Sequence, residues 1–197
     1  MVVTLGVKAM NRIQELLQEN TSVIDEDMVD FDLLFTHQIN TELTELAGEA
    51  FFEHFKDEGI TKIVTIETSG IAFAYAAALR LNVPVVFIKK TKPSTMMYPY
   101  HTKVYSTSKN KSFTLCLGRD VLKPEDKVLF IDDILANGES FLAIERLIEN
   151  TGAKLAGAAI VVEKTFQDGA KIIREELENV CVLASISEIA DDKVIWS

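Results

Sequence analysis

Between residues 61 and 186, short runs of consecutive apolar residues alternate with segments whose apolar residues recur every three or four positions. The runs 61–66, 85–88, 127–132, 155–162 and 181–186 read as buried strands, and 71–81, 140–150 and 170–178 as amphipathic helices. A strand that must return through a helix lies parallel to its neighbour, so this alternation predicts an α/β fold with a central, mostly parallel sheet flanked by helices. Two further helices are predicted at 6–19 and 41–57, the second ending before Gly59. A loop at 91–101 precedes two alternating runs, 103–107 and 112–117, which read as a hairpin turning at Lys109 and Asn110.

At 197 residues and 48% hydrophobic composition, the chain suits one domain spanning 1–197. No internal repeat or Gly/Ser/Pro-rich linker divides it. No apolar run reaches the roughly 18 residues of a membrane helix, and the N-terminus lacks a cleavable leader, so a cytoplasmic location and no membrane partner are expected. Cys116 and Cys181 sit in apolar strand-like runs without metal or redox spacing and read as inert thiols. A formal charge of −10 opposes a nucleic-acid partner. One window departs from that balance: residues 89–118 carry Lys89, Lys90, Lys92, Lys103, Lys109 and Lys111 and no acid. That local positive field suits an anionic ligand, or keeps an edge strand soluble.

In open parallel sheets, ligands bind beyond the carboxyl ends of the strands, here at Glu67 to Gly70, Asp132 to Ser140, and Glu163 with Lys164. The second segment carries the chemistry. Four apolar residues, Val128 to Ile131, lead to Asp132 and Asp133, then to Ala136, Asn137, Gly138, Glu139 and Ser140 at a helix start. Small residues and unpaired N–H groups at a helix N-terminus form a monophosphate cradle. The two carboxylates accept hydrogen bonds from ribose hydroxyls or sit near a hydrated Mg²⁺. Adjacent strand residues face opposite ways, so both aspartates reach one sugar only if the chain turns there, which Asn137-Gly138 makes plausible. No Gly-Lys-Ser/Thr follows, so a triphosphatase loop is excluded.

Residues 131–140 resemble the phosphoribosyl diphosphate motif of the type I phosphoribosyltransferases. With Thr36-His37-Gln38-Ile39, the stretch 59–72, Lys92-Pro93-Ser94-Thr95 and the stretch 162–167, the resemblance is to the bacterial xanthine phosphoribosyltransferases and covers about 27 to 190. It implies the type I phosphoribosyltransferase fold with a hairpin lid, a small N-terminal base-binding hood at about 1–40, and homodimerisation. It implies transfer of the 5-phosphoribosyl group from 5-phosphoribosyl 1-diphosphate to xanthine, giving xanthosine 5'-monophosphate and diphosphate in purine salvage. Mg²⁺ would ride mainly on the substrate, with no metal held by the protein alone.

Residue by residue, the resemblance makes Ala136 to Ser140 the 5-phosphate cradle, Thr68, Ser69 and Gly70 the pyrophosphate loop, and Val29, Thr36 and Lys164 the xanthine contacts. Lys164 closes a strand with Ala158, Ile160 and Val162 apolar; its ammonium donates without accepting, which favours a 6-oxopurine and opposes adenine. Val29 and Thr36 stand where the family commonly has Leu and Asn, and Thr36 could equally cap a helix turn. Relatives using hypoxanthine and guanine usually carry an acid where Ala136 stands; Ala136 cannot move a proton, so no general base is assigned. His37, His54 and His101 show no ligand spacing, and Trp196 reads as core or interface mass. The alternatives are a guanine or hypoxanthine transferase and a non-catalytic regulator sensing phosphoribosyl diphosphate.

Overall fold

The computed structural model describes residues 2–106 and 111–197. The chain begins with α1 (Val2–Glu19), a two-residue ladder of β1 (Ser22–Val23) and β2 (Val29–Asp30), and a π-helical turn at Asp32–Thr36. There follow α2 (Thr41–Phe55), β3 (Lys62–Ile66), α3 (Gly70–Leu81), β4 (Val85–Ile88) and the hairpin of β5 (Tyr100–Ser106) and β6 (Lys111–Leu117). The remainder is β7 (Lys127–Leu135), α4 (Glu139–Glu149), β8 (Lys154–Lys164), α5 (Gly169–Glu176), β9 (Val180–Ala190) and β10 (Lys193–Trp196).

The main sheet has six strands in the order β10-β9-β8-β7-β3-β4. The five strands expected from the apolar runs are mutually parallel; β10, which the sequence reading missed, adds antiparallel to β9 at the edge. The order explains where the helices lie. From β7 to β8 to β9 the chain steps one way, and right-handed crossovers put α4 and α5 on one face; from β3 to β4 it steps the other way, and α3 lies opposite.

Alternation along the strands divides the core accordingly. Ile63, Leu129, Ile131, Ala159 and Val161 pack with Phe51, Phe55 and Phe73 under α1, α2 and α3. Val64, Phe130, Ala158 and Ile160 pack with Phe141, Ile144 and Ile148 of α4 and with Leu115 of the hairpin. Each fully buried phenylalanine contributes roughly 1.5–3 kcal/mol. The hairpin forms a separate ladder, joined to the sheet edge by a bridge between Lys89 and Cys116. Its expected turn residues, Lys109 and Asn110, and the last predicted strand residue Thr107 lie outside the described residues.

Several boundaries differ from the sequence reading where polar residues interrupt or end the apolar signal. β8 runs on to Lys164 and β9 to Ala190, while α2 stops two residues early at Phe55. β7 does not stop at Asp132 but continues through Leu135, held in register by Ile134 to Val162 and Leu135 to Glu163. Cys116 is a buried free thiol and Cys181 a half-buried one. His54 bonds Asn179 at 2.7 Å and packs on Phe55, while His37 and His101 are exposed. Among the described residues no helix is long and apolar enough to cross a membrane.

Candidate active site

The strand order reverses between β3 and β7, since α3 leaves one strand on one face and α4 leaves the other on the opposite face. A crevice opens at such a switch point beyond the strand ends. The loop after β3 and the loop after β7 border it. A Cβ placed on Gly70 would lie 3.1 Å from Asp132 Oδ1 and 3.5 Å from Asp132 Cα, so the start of α3 packs closely on β7.

Thr68 is exposed, Ser69 is half-buried and Gly70 is buried at the start of α3; the Glu67-Thr68 peptide is cis. The loop is anchored through Glu67. Its carboxylate accepts from Lys89 Nζ at 3.0 Å and from the Lys90 N–H at 2.6 Å. Burial works to raise the Glu67 pKa, but the bonds from Lys90 and Lys89 outweigh it and hold the group below its usual value. Lys89 is therefore a structural cation, while Lys90 places positive charge near Asp132.

Beyond β7 the chain turns at Gly138, whose φ of 86° suits glycine, and α4 begins at Glu139. Ala136, Asn137, Glu139 and Ser140 are half-buried just beyond the end of β7. Neither α4 nor α3 receives a side-chain cap, whereas α2, away from the crevice, is capped by Asn40 accepting from the Leu43 N–H at 3.0 Å. Uncapped helix starts leave N–H groups and partial positive charge directed at this edge, which suits phosphate.

Asp132 and Asp133 do meet, although not by the turn the sequence reading required. The strand runs straight through both, and Asp132 Oδ1 accepts from the Asp133 N–H at 3.1 Å. Burial, and then the neighbouring Asp133 charge, hold the Asp132 carboxyl well above the usual carboxylate range. Such a group binds well to whatever donates hydrogen bonds or positive charge, as ribose hydroxyls or a hydrated cation do. Among the described residues, no three His, Cys, Asp or Glu side chains group to hold a metal on their own.

Lys164 closes β8 as expected and is only 8% exposed. It does not pair with Glu163. Its ammonium donates to the Asp27 carbonyl at 2.5 Å, tying the loop between β1 and β2 over the end of β8. Burial lowers the Lys164 pKa, countered by the charges of Asp27 and Asp25. Val29, buried in β2, follows that loop directly, so Lys164 and Val29 belong to one corner. Thr36 is exposed, and its hydroxyl donates to Asp32 Oδ1 at 2.5 Å. It does not cap α2, which is the work of Asn40. Glu163, 4% exposed, accepts from Arg174 at 2.7 and 3.1 Å and from Ser185 at 2.8 Å, fixing α5 to the end of β8. Asp27, Arg174 and Ser185 escaped the sequence reading; only the acidic run Asp25-Glu26-Asp27 hinted at a partner for a lysine.

The loop between β4 and β5 leans outward. Met97 and Tyr98 are 72% and 75% exposed, and Arg119 holds the loop by donating to the Tyr98 carbonyl at 2.5 Å while stacking over Tyr100.

Comparison with known proteins agrees with this geometry. The phosphoribosyl transferase domain family matches residues 32–194. Xanthine phosphoribosyltransferase from Staphylococcus aureus strain MRSA252 is 42% identical over 186 residues, covering 94% of this chain and 97% of that protein. The same protein from strain JH9 matches equally. Among solved structures, adenine phosphoribosyltransferase from Rhodothermus marinus superposes with a TM-score of 0.73 at 26% identity, covering 91% of this chain and 99% of the other. The enzyme from Giardia lamblia complexed with 9-deazaadenine gives 0.74 at 20% identity, covering 89% and 97%, a likeness of fold. With the crevice at the switch point and the phosphate-suited loops in place, the chain belongs to the type I phosphoribosyltransferase family, in its xanthine phosphoribosyltransferase group.

Proposed function

We propose that this protein transfers the 5-phosphoribosyl group of 5-phosphoribosyl 1-diphosphate to N9 of xanthine, releasing diphosphate and forming xanthosine 5'-monophosphate. Ala136 to Ser140 take the 5-phosphate, Asp132 and Asp133 the ribose hydroxyls, Thr68 to Gly70 the diphosphate, and Lys164, Val29 and Thr36 the base. The observation that carries the choice of base is Lys164: a buried ammonium with one N–H spent on Asp27 keeps two donors for a ligand. Those donors match a 6-carbonyl and oppose adenine's 6-amino group. The solved relatives named above are adenine enzymes on the same fold, so the fold alone does not select the base.

Catalysis on this reading is positioning and electrostatics. As the bond from C1 to diphosphate breaks, the ribose acquires positive charge, and the Asp132 and Asp133 carboxylates stabilise it while holding the hydroxyls. Mg²⁺, carried mainly on substrate oxygens, neutralises the leaving diphosphate. Residues 1–40 serve as the hood over the base, within one domain spanning 1–197. The loop at 90–103 serves as the lid.

We place the protein in the cytoplasm as a homodimer. Tyr75, Leu79 and Phe87 are 60%, 63% and 44% exposed along α3 and the edge strand β4. They line a groove of about 620 Å³ that runs along α3 and β4 from Ile71 to Phe87. A second copy of this chain is the occupant such an apolar face suits.

The deciding experiment measures diphosphate release with phosphoribosyl diphosphate and Mg²⁺ against xanthine, guanine, hypoxanthine and adenine, confirming the nucleotide by mass. Preference for xanthine is the expected result. Preference for another base would overturn the reading of the base corner, and tight substrate binding without turnover would point to a sensor.

A further inference from the structure

The loop after β7 is not self-supporting. The Gly169 N–H, at the start of α5, donates to the Ala136 carbonyl at 2.9 Å. The approach is as close as backbones come: a Cβ on Gly169 would overlap the Ala136 oxygen and lie 2.9 Å from Ala136 C and 3.0 Å from Gly138 N. Reciprocally, a Cβ on Gly138 would sit 3.1 Å from Gly169 Cα and 3.1 Å from Ile172 Cδ1. What a Gly169 Cβ would meet is all backbone, so no side chain can swing aside to make room there.

The consequence follows from the planarity of the peptide. The Ala136 carbonyl and the Asn137 N–H belong to one peptide unit and point in opposite directions when it is trans. With the carbonyl tied to α5, the Asn137 N–H is directed away from α5. An anion is attracted by that N–H and repelled by a carbonyl, so the orientation of this single peptide decides whether the loop accepts phosphate.

We propose that Gly169 is a positioning residue for the 5-phosphate cradle, setting the Ala136-Asn137 peptide so that its N–H and not its carbonyl faces the phosphate. The inference rests on the reading of Ala136 to Ser140 as that cradle. Gly169 is 31 residues past Gly138 in the chain and touches no substrate. Its anchorage is firm, because Arg174 of the same helix is bonded twice to buried Glu163.

The test compares four variants of the full-length protein by the KM for phosphoribosyl diphosphate, the KM for xanthine, ribose 5-phosphate affinity by calorimetry, and Tm. Gly169→Ala forces the Ala136 carbonyl out and should weaken ribose 5-phosphate and raise the phosphoribosyl diphosphate KM by roughly tenfold or more, as misplacements of about an ångström do. The xanthine KM should move less than about twofold, since Lys164 is untouched. Ile172→Ala introduces no clash and only removes the side chain packed on Gly138; it should shift the same constants by about threefold, and it keeps the test alive if Gly169→Ala does not fold. Gly157→Ala is the structural comparison. Its Cβ would meet Asn179 O and Phe55 Cε1, each at 2.7 Å, far from the loop, so Tm should fall with the ratio of the two KM values unchanged. Ser140→Ala probes the cradle directly. Weakened affinity in Ser140→Ala beside unchanged affinity in Gly169→Ala and Ile172→Ala overturns the inference and leaves the cradle standing. Unchanged affinity in all three overturns the cradle, and the inference with it. Parallel losses for both substrates in Gly169→Ala would reduce Gly169 to a structural residue.

Discussion

Replacing Lys164 by Met separates what this residue does for recognition from what it costs the fold. Met matches the length of the stem and removes the ammonium. In the complex the ammonium supplies a charge-assisted hydrogen bond to the 6-carbonyl, a contribution of about 1.5–3 kcal/mol, so kcat/KM for xanthine should fall roughly 10- to 150-fold. Adenine has no carbonyl there, so its kcat/KM should hold or rise, and the preference between the bases should narrow. Stability should move the other way or not at all. Burial lowers the Lys164 pKa in the folded chain, so between that value and the unfolded one near 10.4 the unfolded state binds the proton more tightly. Lys164 therefore destabilises the fold fully at neutral pH, and the penalty is relieved as pH rises through the folded pKa. Met removes the penalty and forfeits one bond to the carbonyl of Asp27, an exposed residue that water can serve, worth about 1 kcal/mol. Chemical denaturation should show Lys164→Met no less stable at pH 7, by within about 1 kcal/mol, with wild type gaining on it toward pH 10. Parallel initial-rate measurements on both bases complete the assay. An unchanged kcat/KM for xanthine, or equal losses for xanthine and adenine, would refute the base-reading role.

Asp126 anchors the start of β7, accepting from Lys62 at 2.9 Å, Thr61 at 3.0 Å and the Lys123 N–H at 2.7 Å. Burial opposes its ionisation, but those bonds outweigh it and leave its pKa below the usual value, so its stabilisation is present above the unfolded pKa and lost as pH falls through the folded one. Asp126→Asn should cost about 1.5–3 kcal/mol in urea melts at pH 7, a gap that closes in acid; a constant gap would show that charge is not involved. Leu79→Asp puts a charge into the apolar face of α3 and should sediment at the monomer mass of about 22 kDa where wild type sediments at twice that; two dimers would move the interface elsewhere. Hydrogen exchange over residues 90–103 should slow when phosphoribosyl diphosphate and Mg²⁺ are added, and unchanged exchange would remove the lid.

The fold was legible because buried parallel strands announce themselves as continuous apolar runs, and five of them, separated by helical periodicity, leave few topologies. What escaped lacks that signal. β10 reads Lys193-Val194-Ile195-Trp196 with alternate exposure, too short to distinguish from a terminal tail. The β1 and β2 ladder is two residues a side, and its neighbour turn is π-helical, a form with no reliable sequence mark. β7 outruns its sequence signal because two aspartates read as a strand end, when they lie inside a strand that continues through Ile134 and Leu135.

The candidate site divides along the same line. That Ala136 to Ser140 open a helix could be read from the chain, because small residues at a helix start have a local reason to be there. The contacts that hold them do not. Gly169 meets Ala136 only because α5 and α4 lie on one face of the sheet, and Lys164 finds the Asp27 carbonyl 137 residues away because β8 ends beneath the loop between β1 and β2. Thr36 shows how local chemistry can mislead: a hydroxyl four residues before Asn40 looked able to cap a helix, yet Asn40 caps α2 and Thr36 is turned back to Asp32. That bond commits the only proton of the Thr36 hydroxyl, so toward a base this side chain offers lone pairs alone. On the proposed base contact, the choice among oxidised purines at the 2-position turns on Asp32 as much as on Thr36, and on a contact no spacing rule would have selected.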